Sequence, residues 1–109
     1  MEIQRDSISF DSSKSSGPRV SPPKTITFSG PIKQAVALLT GTDFGFSPSD
    51  GDHHLGLVEI KVDASVQPNT PQVQVTATLG VRDWSASGRS DFNNPYFGTV
   101  YFAVLAELA

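Results

Sequence analysis

Two segments of this chain hold the residue types from which chemistry is usually built. The first is Asp50-Gly-Asp-His-His54. Carboxylates and imidazoles placed together suggest a metal site, with calcium or zinc as the candidate ion and Asp50, Asp52 and His53 as the candidate ligands. The pattern is incomplete for both ions. A calcium loop needs a bidentate Glu at its end, and counting twelve positions from Asp50 reaches Lys61. Zinc needs several converging ligands, whereas His53 and His54 are adjacent and point to opposite faces of an extended chain. The alternative is a polar hairpin loop leading into a strand near Leu55, with no resident cofactor.

The second segment runs from Arg82 to Gly98. It holds the only Trp, one of the two Tyr and two of the seven Phe, interleaved with Arg, Asp and Asn. Aromatic planes stack on the apolar faces of ligands such as sugar rings, while Arg, Asp and Asn supply directional hydrogen bonds. Trp84 is the candidate stacking platform, and Arg82, Asp83, Asn93, Asn94 and Tyr96 are the candidate hydrogen-bonding residues. The plainer reading has Trp84 and Phe97 plugging one end of a sandwich, and both readings stay open at this point. Catalysis is not expected. There is no cysteine and no G-x-S-x-G elbow, and both histidines sit in one loop, so no nucleophile–base set can be assembled.

The elements that must position these segments are strands. Val58, Ile60, Val62, Ala64 and Val66 alternate with polar residues, as do Val73, Val75, Ala77, Leu79 and Val81. Gln67-Pro-Asn-Thr-Pro71 between them is turn chemistry, so the two runs form an antiparallel hairpin with one wet face. Ala35–Leu39 and Val100–Ala106 are apolar at both parities, as for strands covered on both faces. Only about eight residues lie between Pro31 and the Thr40-Gly41 break, which favours strand over helix there. Together these predict an all-β fold, a small antiparallel β-sandwich of about six strands spanning residues 25–109. Residues 1–24 contain Ser12-Ser-Lys-Ser-Ser-Gly-Pro18 and Ser21-Pro-Pro23, and they read as an extended N-terminal arm with a short strand over 3–10.

Charge and hydropathy limit the partners. Residues 1–34 carry five bases against three acids, and residues 35–109 carry three bases against eight acids. The bases are scattered rather than gathered into a stripe, so nucleic-acid binding is not expected. The longest apolar run, Val100–Ala106, is far short of the roughly 20 residues of a membrane helix. Met1–Asp6 has no basic segment leading into an apolar stretch, so no secretory signal is expected, and no compartment follows. In the last strand Val100, Phe102, Val104 and Ala106 face the core, leaving Tyr101, Ala103 and Leu105 pointing outward. That apolar row needs a cover, either the arm or another subunit, and the arm is too polar to serve well. Self-association through Tyr101, Ala103 and Leu105 is therefore expected.

From Thr25 to Leu108 the order of segments resembles the H-type lectin domain, the invertebrate agglutinin fold. Thr25-Ile-Thr-Phe-Ser-Gly-Pro31 is similar to its opening strand, and Ala35–Asp43 to the next. The two alternating runs follow in the same order, and Val100–Leu105 resembles the closing strand. Asp83-Trp84 stands where the family has its Trp, with Tyr96 at a second sugar-contacting position, whereas Leu55-Gly-Leu-Val58 stands where the family carries an Arg. The resemblance implies a six-stranded sandwich, assembly as a homotrimer or hexamer, and binding of N-acetylgalactosamine-type glycans at subunit edges. The same build suits a structural or scaffold oligomer of a phage tail or bacterial secretion apparatus.

Overall fold

The computed structural model describes residues 1–47, 55–83 and 92–109, with the side chain of Asn93 left aside. The Asp50–His54 loop and Trp84 lie outside the described residues. Among the described residues every regular element is a strand: β1 (Glu2–Ser15), β2 (Arg19–Val20), β3 (Lys24–Thr27), β4 (Ile32–Phe46), β5 (Leu55–Val66), β6 (Gln72–Asp83) and β7 (Phe92–Leu108). One sheet has the order β1-β7-β4. In the other, β6 is central, with β5 on one side and the short β2 and β3 on the other. All pairings are antiparallel, which bears out the all-β antiparallel expectation.

The hairpin read from alternation is present in register, with Val66 opposite Val73 and Val58 opposite Val81. Its turn has Thr70 N–H donating to Gln67 O at 3.3 Å, and Asn69 sits at φ 60°. Pro at the second position and a positive-φ Asn at the third are the chemistry of a type II turn. Along β6, Val73, Val75, Ala77 and Leu79 are fully buried. Facing them from β7 are Val100, Phe102, Val104 and Ala106, also fully buried. Each large apolar side chain so covered contributes roughly 1.5–3 kcal/mol, and this double row is the core.

Three features differ from the sequence expectation. First, residues 1–24 do not stand off as an arm. The strand expected over 3–10 extends from Glu2 to Ser15 and pairs along β7, beside that strand rather than across its outer face. Ser21 continues the other sheet: its N–H donates to Ala77 O at 2.8 Å, and its hydroxyl accepts from Ala77 N–H at 2.9 Å. A side-chain oxygen thus replaces the backbone acceptor where Pro22-Pro23 divert the chain.

Second, the Thr40-Gly41 break is a register shift inside one strand, and β4 runs on to Phe46. Third, the connection after β6 is shorter than Arg82–Gly98, because β7 already begins at Phe92. Gly98 explains how β7 lies so close to β4. A Cβ there would come within 2.5 Å of the Asp43 carbonyl oxygen and 2.8 Å of the Leu79 side chain.

Candidate functional site

The residues expected to hold a ligand do not gather on an open surface. Tyr96 is fully buried and belongs to the core. Its hydroxyl donates to Leu79 O at 3.1 Å and lies 2.8 Å from the Ser15 hydroxyl, so it is already used within the fold. Its ring is tilted against Phe92 at 6.2 Å between centroids, and the Arg19 guanidinium sits over it at 4.4 Å. The expected hydrogen-bonding role of Tyr96 toward a sugar is therefore corrected to a structural one, since an occupied and dry hydroxyl cannot address a ligand.

Asp83 is also buried, at the end of β6, while Arg82 and Asn94 are half-buried. Alternation along β6 sends Arg82 and Asp83 to opposite faces. Trp84 and the Asn93 side chain lie outside the described residues, as do Asp50, Asp52 and His53. Among the described residues no three metal-binding side chains converge.

Two other surfaces emerge. The first is the outer face of the β1-β7-β4 sheet. Strand register aligns Ile3, Leu105 and Val36 in one row, and Arg5, Ala103 and Leu38 in the next. Ser7, Tyr101 and Gly41 form a third. Ile3, Val36, Leu38 and Tyr101 are 59%, 50%, 48% and 40% exposed. An antiparallel sheet with one solvated face ordinarily carries polar residues there. Of the expected row, Tyr101 is exposed and Leu105 half-buried, whereas Ala103 is buried at 7%, a small side chain set between Arg5 and Leu38. The exposure expected of Ala103 is carried instead by Val36 and Leu38 on the neighbouring strand and Ile3 on β1. The mixed-parity run Ala35–Leu39 was the signal for two of these. Tyr101 donates to Asp43 Oδ2 at 3.1 Å, and holding that proton against a carboxylate raises the phenol above its ordinary value.

The second surface is a groove of about 890 Å³ between β1 and the β2–β3 side of the other sheet. Two cations bridge it. Lys24 Nζ donates to Asp6 Oδ1 at 2.8 Å and to Ser7 O at 2.9 Å. Arg19 donates to Asp11 Oδ1 at 3.1 Å, to Asp11 O at 2.9 Å and to Tyr96 O at 2.7 Å. The Lys24 ammonium, with desolvation opposing it, holds the Asp6 carboxyl below its ordinary value. Nothing in the sequence marked Arg19 or Lys24, which are lone bases in a polar stretch.

Fold and surface together define an antiparallel β-sandwich whose one sheet has an apolar outer face. No family model matches the chain, and comparison with curated proteins and with solved structures finds no match.

Proposed function

We propose that this chain is a non-catalytic assembly module that associates with its own copies through the outer face of the β1-β7-β4 sheet. The observation that supports this most is the half-exposed apolar set of Ile3, Val36, Leu38 and Tyr101 around Leu105. Apolar surface in contiguous cross-strand rows gains free energy when a second such surface covers it. The reading fits a structural oligomer, the scaffold role expected beside the lectin-like one. Size exclusion with light scattering tests it. The wild-type mass should exceed 11.6 kDa, and Leu105→Glu, which sets a charge at the centre of the face, should lower it. A wild-type monomer, or a Leu105→Glu protein of unchanged mass, overturns it.

Carbohydrate binding is the second reading, favoured by the aromatic and polar residues that follow β6. With Tyr96 buried, it rests on Trp84, Asn93 and Asn94 with the neighbouring Arg82. A glycan array on the wild type and on Trp84→Ala tests it: binding that is lost with Trp84 supports the sugar reading, and an array without binding removes it.

A further inference from the structure

β1 and β4 are the two edges of one sheet, and the backbone groups on their outer sides meet different fates. Side-chain bonds reveal which residues those are. Ser7 N–H donates to Asp6 Oδ1 at 2.7 Å and Ser7 O accepts from Lys24 Nζ, so Ser7 turns its backbone away from β7. In an antiparallel ladder the facing residue of a central strand then turns its own groups to the other neighbour. Tyr101, opposite Ser7, thus bonds toward β4, and so do Ala103 and Leu105 by alternation. Thr99 O confirms the parity by accepting from the Thr42 hydroxyl of β4 at 3.0 Å. The partners of the remaining β7 residues, namely Ala35, Ala37 and Leu39, therefore send N–H and C=O outward from β4. Ile32 has the same parity, and its N–H is taken by Thr70 O at 3.0 Å. No other strand pairs with the outer side of β4 among the described residues.

We propose that a second copy of this chain pairs with the β4 edge, β4 against β4 and antiparallel across a two-fold axis at Ala37, joining two three-stranded sheets into one. Unpaired backbone donors and acceptors at regular spacing select an extended strand over any other occupant. Two register shifts, at Ile32/Gln34 and Leu39/Gly41, bracket a regular run between them. With the axis at Ala37, Ala37 faces its own copy and Ala35 faces Leu39, so all the outward groups of that run are used. Val36 then meets Leu38 across the join on the outer face, where they are 50% and 48% exposed in the single chain. The charge pattern agrees. Lys33 and Asp43 are the only charged residues of β4 and lie toward opposite ends, so an antiparallel copy brings the basic end of one strand to the acidic end of the other. A parallel copy would align like with like.

The edge contact is separate from the face contact of the proposed function, and the test is made where the two can be told apart. In Leu105→Glu protein, which carries a charge on the face, light scattering should still give twice 11.6 kDa. Adding Ala37→Pro should reduce this to the monomer. Proline at Ala37 removes an outward N–H and crowds the edge without deleting a bond to β7, and proline is tolerated at such edge positions. Ser9→Pro, at the matching parity on β1, should leave the mass unchanged. A monomeric Leu105→Glu protein, or a dimer that survives Ala37→Pro, overturns the proposal whatever becomes of the face. Should the proline variant fail to fold, hydrogen exchange on Leu105→Glu protein decides. The Ala35, Ala37 and Leu39 amides should be protected at high concentration and exchange at least tenfold faster on dilution, whereas equal exchange at both concentrations overturns the pairing.

Discussion

The two edges of the β1-β7-β4 sheet show opposite solutions to the same problem. Any edge strand presents a row of unpaired backbone groups, a template for another chain. On β1 the row is interrupted by side chains: Asp6 and Lys24 take both groups of Ser7, and Arg19 takes the carbonyl of Asp11. On β4 the corresponding stretch is Ala35–Leu39, which has no side chain able to do this. The difference is one of composition acting on identical backbone geometry. A Ser- and Asp-rich strand beside two cations has its row blocked at Ser7 and Asp11, and an Ala/Val/Leu strand has no such block.

The severest perturbation of this sheet is one that detaches β4 altogether. Gly98→Ala puts a methyl group where the Asp43 carbonyl oxygen is 2.5 Å away and the Leu79 side chain 2.8 Å away. Neither a backbone oxygen nor a core side chain can yield freely, so the cost should be about 3 kcal/mol or more. Chemical denaturation should show it as a lower midpoint, and exchange should accelerate first at Thr42–Phe44.

Next in size is Arg19→Ala, which opens the other edge. It deletes three hydrogen bonds and a guanidinium lying between the Phe10 and Tyr96 rings at 5.5 and 4.4 Å. The Tyr96 and Asp11 carbonyls lose a charged donor, and the expected loss is about 2 kcal/mol in urea unfolding. Arg19→Lys should recover only part of it, since one ammonium cannot span the same acceptors. If β1 is sealed by this residue, the Ala variant should also associate more readily than the wild type at equal concentration.

How far these features were legible in the sequence depends on what holds each one. β5 and β6 were readable because a half-buried antiparallel strand imposes a period of two on apolar residues, and Val58–Val66 and Val73–Val81 keep it. β1 was readable over residues 3–10 from the alternation of Ile8 and Phe10 with Ser7 and Ser9, but not its continuation to Ser15. Its contacts with Lys24 and Arg19 were not readable, because their separation from Asp6 and Asp11 in sequence carries no period. Tyr96 was misplaced for a related reason. An aromatic among Asn, Pro and Phe looks like a ligand platform until β7 is known to begin at Phe92, which turns the same residue inward. The outward face was anticipated from Tyr101 and Leu105, and the run Ala35–Leu39 signalled Val36 and Leu38, but strand order was needed to add Ile3 and to set all of them side by side.

A smaller perturbation is Lys24→Met, which keeps most of the aliphatic stem and removes the charge. Lys24 and Asp6 are 44% and 35% exposed, so solvent screening limits their pair to roughly 0.5–1 kcal/mol. The larger consequence is that the Ser7 carbonyl loses its donor. Sedimentation should therefore report greater self-association even where thermal unfolding scarcely moves.

The smallest expected effect is a pH dependence that should separate the two edges by sign. Asp6 has its pKa lowered from 3.8 by the Lys24 hydrogen bond. A carboxyl depressed in the folded state contributes stability above its unfolded value and loses it as pH falls through the folded one. The β1 side should thus weaken below about pH 4, by less than about 1 kcal/mol and by less still in salt. Glu2, lowered by its hydrogen bonds from Ser29, contributes with the same sign. The informative quantity is therefore the difference between wild type and Lys24→Met, which should shrink on acidification to what the bond from Lys24 to the Ser7 carbonyl contributes.

On the β4 side the sign reverses. Tyr101 is raised from 10.0 because its proton is held by Asp43. Its contribution is complete below that value and is lost as pH rises through the folded one. Tyr101→Phe should accordingly match the wild type more closely above pH 10 than at neutrality. Unfolding free energies measured across both limbs for the two variants would show whether acid loosens one edge and alkali the other. A Lys24→Met difference that does not shrink at low pH would mean that Lys24 acts through the Ser7 carbonyl and not through Asp6.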